Sequence, residues 1–101
     1  MLERSHIVQA IFEAIDEFNE TQPSENQLEK SESVIFFGRD GKVDSLGLVN
    51  LVLAVEEKIR DTFSTEISLM DEKAMSYKNS PFRSLESMTD YIHYSLENSN
   101  V

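Results

Sequence analysis

Apolar residues in the first part of this chain recur at helical rather than strand spacing. Ile7, Ile11, Ile15 and Phe18 repeat with Val8 beside them, while Glu13, Asp16 and Glu17 fall on the opposite side. The spacing predicts an amphipathic helix over roughly Glu3 to Asn19. Thr21 to Ser33 is polar and contains Pro23, which reads as a loop. Val34-Ile35-Phe36-Phe37 is a short apolar run that would suit a strand, but the sequence offers no second strand to pair with it. It is expected as loop packed into the core. Gly38 and the Asp40-Gly41 pair then supply a turn.

A second helix is predicted from Asp44-Ser45, with Ser45 as its N-cap, to about Arg60. Ser68 and Asp71 stand at capping-box spacing, so a short third helix is expected to begin there. Asn79, Ser80 and Pro81 break the pattern. A last helix follows from about Ser84, its apolar stripe formed by Leu85, Met88, Tyr91, Ile92 and Leu96. The expected architecture is all-α: one domain over residues 1–101, a small bundle of three longer helices, one short helix and a long first loop.

On a helical wheel the second helix carries apolar residues on two faces. Leu48, Leu51, Val52, Val55 and Ile59 cluster within about 100°, the width of a buried stripe. Leu46, Val49 and Leu53 fall together on the opposite side, bordered by Asn50, Glu56, Glu57 and Arg60. One face packs inward. The other is either covered by the long first loop or left for a partner. Ser45 opens this helix beside that second patch, where unpaired N–H groups and the positive end of the helix dipole tolerate a phosphate.

Composition narrows the classes. The chain has 101 residues, enough for one modest core, and only three Gly, two Pro and no Trp. Nineteen acidic residues against nine basic ones give a formal net charge of −10. This argues against nucleic acid and anionic membranes, whose phosphates call for Lys and Arg. It suits a partner with a basic docking surface. No apolar run approaches the ~20 residues of a membrane span, and Met1 to His6 lacks the layout of a secretory signal. The expected location is the cytoplasm and the expected state a monomer. The chain has no Cys, so any thiol chemistry must come from an attached group.

The tripeptide Asp44-Ser45-Leu46, opening the run from Leu46 to Glu57, resembles the acyl carrier protein family. The resemblance extends upstream through Gly38-Arg39-Asp40-Gly41 and downstream to Ile67 and Asp90-Tyr91-Ile92, covering most of the chain. It implies a four-helix carrier that is not itself an enzyme. A phosphopantetheinyl transferase would attach 4'-phosphopantetheine from coenzyme A to Ser45, and acyl intermediates of lipid, fatty acid or polyketide biosynthesis would be held there as thioesters. The resemblance also implies that Asp44 helps the transferase recognise its substrate, and that Leu46, Val49, Leu53, Glu56 and Glu57 face acyl-loading, condensing or acyl-transferring enzymes. Many fatty-acid carriers have acidic residues where this chain has Gly47 and Asn50, and Lys58 further dilutes the acidic stripe. These departures point to a dedicated partner set rather than housekeeping fatty acid synthesis. The stretch from Met70 to Pro81 is longer than in minimal carriers.

Other chemistries fit the residues less well. Val43-Asp44-Ser45-Leu46 is one residue from the Gly-Asp-Ser-Leu block of a hydrolase family, and Asp90 and His93 have that family's Asp-x-x-His spacing. The chain is nevertheless short for a strand-built hydrolase and offers no oxyanion block. A calcium loop centred on Gly41 would require Phe36 and Gly47 as ligands, and His6 and His93 make no metal pair. The plain alternative is an acidic helical interaction module in which Ser45 is only a helix cap.

Overall fold

The computed structural model describes residues 3–38, 41–69 and 81–98, without the side chain of Ser45. Within them lie three α-helices, α1 (Arg4–Asn19), α2 (Ser45–Phe63) and α3 (Leu85–Asn98), and a 3-10 turn at Ser24–Asn26. The all-α expectation holds for these residues. The short helix expected from Ser68 and Asp71 cannot be traced, because residues 70–80 lie outside the described ones, as does Asp40 of the expected turn.

α1 forms where its stripe predicts, with Ile7, Ile11, Ile15 and Phe18 joined by Val8, Ala10 and Ala14 in burial. Both other helices pack on it. The first part of the long connection from α1 to α2 is tied back to α1 by a side chain. The Asn19 amide makes a reciprocal pair with Leu28, donating to its carbonyl at 2.9 Å and accepting from its N–H at 2.8 Å. That pair seats the buried Leu28 in the core.

The apolar run at 34–37 is loop, as expected, and Phe36 is fully buried. It does find one pairing partner. Ile35 forms an isolated antiparallel bridge with Ser84, flanked by bonds from Phe36 N–H to the Arg83 carbonyl (2.7 Å) and from Leu85 N–H to the Val34 carbonyl (3.1 Å). The loop thereby fixes the start of α3. There Ser84 and Ser87 cap each other reciprocally: the Ser87 N–H bonds Ser84 Oγ and the Ser84 N–H bonds Ser87 Oγ, both at 3.1 Å. The α3 stripe of Leu85, Met88, Tyr91, Ile92 and Leu96 is buried as predicted.

Gly38 takes a left-handed backbone (φ +108) and its carbonyl accepts from the Gly41 N–H at 3.1 Å. At Gly41 a Cβ would strike the Phe36 carbonyl and come within 2.7 Å of Phe37 Cα. Only glycine fits so close an approach of backbone to backbone. The Val43 N–H reaches the Phe36 carbonyl at 3.0 Å, which delivers the chain to α2.

Candidate functional site

The start of α2 is organised by Asp44. The sequence suggested Ser45 as N-cap, and the structure corrects this by one residue: Asp44 is the cap and Ser45 the first helical residue. Asp44 has an extended backbone, and its Oδ1 accepts from the Gly47 N–H at 2.7 Å, while its carbonyl accepts the first helical bond, from Leu48. Asp and Ser both cap well, so composition could not choose between adjacent residues. Val43, immediately before the cap, is buried in the core.

Gly47 is part of this cap. A Cβ there would lie 3.1 Å from Asp44 Oδ1 and 3.2 Å from Val43 Cγ1, closer than ordinary van der Waals contact. The small residue two places after Ser45 lets the capping oxygen reach its N–H unhindered.

Both faces of α2 are as the wheel predicts. Leu51, Val52, Val55 and Ile59 are fully buried, and Leu48 is partly so. Leu46, Val49 and Leu53 retain 75%, 36% and 54% of their exposure. The long loop therefore does not cover Leu46 and Val49. With Asn50, Glu57 and Arg60, all exposed, they make an apolar strip with a polar edge of mixed charge along the outer side of the helix. From Leu46 to Glu57 it runs for about 16 Å.

The two glutamates separate. Glu57 is exposed, whereas Glu56 is half-buried and its Oε2 accepts from the backbone N–H of Leu69 at 2.7 Å. The helix continues three residues beyond the expected end at Arg60, to Phe63, and Ser64 ends it in a left-handed conformation. Lys58 turns toward α1, where Glu17 Oε2 lies 2.9 Å from its Nζ. The hydrogen bond to the Glu17 carboxylate, and then its charge, hold the Lys58 ammonium above its ordinary pKa, with smaller contributions from Glu57 and Glu13. Lys58 is thereby spent on α1, and it dilutes the acidic edge less than its place in the sequence suggests.

The residues of the hydrolase alternative have other partners. Asp90 pairs with Arg4 at the start of α1, and His93 Nδ1 lies 2.8 Å from Glu97 on the next turn of its own helix. No hydrogen bond joins Asp90 to His93 among the described residues. No helix among them is long and apolar enough to cross a membrane.

The roles of Glu56 and Lys58 are what sequence reasoning missed. Each depends on an element far along the chain, and no local pattern announces it. Comparison with protein-family models, with curated proteins and with solved structures finds no match to this chain.

Proposed function

We propose that this chain is an acyl carrier protein of the four-helix type, with Ser45 as the attachment point for 4'-phosphopantetheine. The observation that carries the reading is the conjunction at α2: Asp44-Ser45-Leu46 opens a helix whose outer face keeps Leu46 and Leu53 more than half exposed. A capped first turn flanked by exposed Asp44 and Leu46 is open to a modifying enzyme, and the first-turn N–H groups suit the phosphodiester. The chain's lack of Cys agrees with a function whose thiol is imported.

When bound, the arm supplies the thiol on which an acyl group is carried as a thioester. Everything else falls to the chain. Asp44 fixes the first turn and so the place of Ser45. Leu46, Val49 and Leu53 offer apolar contact to the transferase and to acyl-loading, condensing or acyl-transferring enzymes. Glu57 attracts their basic surfaces. Tethering makes delivery intramolecular, at an effective concentration of the order of millimolar for a short flexible linker. The chain does no bond-making of its own in this reading, and its replacement of acidic residues by Gly47 and Asn50 favours a specialised partner set.

The test is intact mass after incubation with coenzyme A and a broad-specificity phosphopantetheinyl transferase. Wild type is expected to gain one phosphopantetheine and Ser45→Ala none. An unchanged wild-type mass with several competent transferases would leave the interaction-module reading, which the same exposed strip supports without any prosthetic group.

A further inference from the structure

Glu56 and Glu57 are adjacent in sequence but meet different surroundings, and the difference reaches the segment after α2. Ser64 turns the chain off the helix with a left-handed backbone (φ 54, ψ 33), its N–H closing on the Arg60 carbonyl. Residues 64–69 then return beside α2 as a strap. They end at Leu69, whose side chain is fully buried and whose N–H is held by the Glu56 carboxylate. One half-buried carboxylate thus fastens the far end of the strap to the middle of the helix.

An open groove of about 370 Å³ lies at this fastening, lined by Glu56, Arg60, Glu66, Ile67 and Ser68. Arg60 is one helical turn beyond Glu56, with the acid on the N-terminal side, which is the favourable order for an i,i+4 ion pair. Here the carboxylate goes to Leu69 instead, and Arg60 is exposed. Glu56 therefore has two candidate partners on one groove: an amide of the strap and a guanidinium of its own helix.

We propose that Glu56 is a latch with two settings. In one rotamer it holds the Leu69 N–H and the strap is closed against α2. In another it pairs with Arg60, the Leu69 N–H loses its acceptor, and the strap is released. A basic side chain from a docking partner, entering the groove at Glu56, acts as Arg60 does and links contact at the outer face of α2 to release of the strap. That last link rests on the carrier reading, and the latch does not.

Amide hydrogen exchange of the full, unmodified chain, followed by NMR, tests the latch directly. Glu56→Ala should speed exchange at Leu69 by about 10- to 100-fold, the equivalent of one hydrogen bond to a charged group. The amides of Val55 and Ile59 should stay protected. Arg60→Ala removes the competing partner and should slow Leu69 exchange by roughly 1.5- to 2-fold, and Glu57→Ala should leave it unchanged. Unaltered Leu69 exchange in Glu56→Ala overturns the latch, and unaltered or faster exchange in Arg60→Ala overturns its second setting. Should Glu56→Ala fail to fold, Glu56→Gln keeps the shape but not the charge. It is then expected to give intermediate acceleration, and wild-type exchange in that variant overturns the proposal equally. Because the chain carries no arm in this experiment, a negative result here and a negative mass result at Ser45 fall on separate claims.

Discussion

Replacing Asp44 by Ala removes the side-chain bond that closes the first turn of α2, from the Gly47 N–H to Oδ1 at 2.7 Å. Because Asp44 is exposed, water can satisfy the freed N–H, so the larger penalty for a buried, unpartnered donor does not apply. The loss is that of an N-cap, about 1 kcal/mol within a range of ~0.5–2. The carboxylate's charge at the positive end of the helix dipole accounts for some ~0.3–1 kcal/mol at low salt, overlapping with the cap because the same oxygens carry both. In a domain of this size each 1 kcal/mol moves the midpoint by about 4–8 °C. Asp44→Ala should therefore melt about 4–8 °C below wild type. Asp44→Asn keeps a capping oxygen and loses the charge, so it should recover most of that difference and recover more of it as salt screens the dipole term. Thermal unfolding followed by far-ultraviolet circular dichroism, at low and at high salt, reads both effects. An Asp44→Ala midpoint within about 1 °C of wild type would refute the cap as a contributor to stability. On the carrier reading, the same variants also separate two roles that the resemblance leaves joined. If Asp44→Asn melts close to wild type yet is modified more slowly by the transferase, the enzyme reads the charge. If modification follows the midpoint across all three proteins, Asp44 acts by shaping the turn that holds Ser45.

Two further perturbations probe the frame around the site. Gly41→Ala drives a Cβ into the Phe36 carbonyl and against Phe37 Cα, backbone atoms that cannot rotate away, so it should cost about 1–3 kcal/mol in chemical denaturation; an unchanged midpoint would mean that the 36–43 turn yields freely. Lys58 is held protonated above its ordinary pKa of 10.5, chiefly by its hydrogen bond to Glu17, so its contribution is complete below the unfolded-state value and is lost as pH rises through the folded one. The difference in melting temperature between wild type and Lys58→Met should stay constant from about pH 6 to 9 and shrink only above about 10.5; shrinkage between pH 6 and 9 would contradict the assignment.

The parts of the fold legible in the sequence are those fixed by neighbours within a turn or two. The α1 stripe and the two apolar sides of α2 repeat with the helical period, and burial in the structure follows them residue by residue. The α3 start at Ser84 was legible for the same local reason. What stayed hidden is non-local. The bridge from Ile35 to Ser84 joins a loop to the approach of the last helix, and neither segment reads as a strand alone. Glu56 carried the same surface signature as Glu57 until the strap returned to claim it. The shift of the cap from Ser45 to Asp44 is a third kind of miss, a choice between two adjacent residues that both cap well and that local sequence does not separate.

Leaving Leu46, Val49 and Leu53 partly in water forgoes a share, set by the exposure each retains, of the about 1.5–3 kcal/mol that full burial of such a side chain gains. An exposed strip of this kind invites self-association unless something opposes it. The chain's net negative charge opposes it between like copies. Two copies meeting there each carry a formal charge of −10, and repulsion between them acts within about 8 Å, the screening length at physiological salt. A basic partner meets the same apolar contact with the electrostatic sign reversed, and its approach is accelerated. On the carrier reading, the same charge that disfavours pairing of like copies favours a basic partner. Ser45 stands at the N-terminal end of this strip rather than beneath it. On the carrier reading, a partner seated on Leu46, Val49 and Leu53 would have Ser45 at the rim of the contact, and an arm attached there would extend past the interface into the partner instead of being trapped under it.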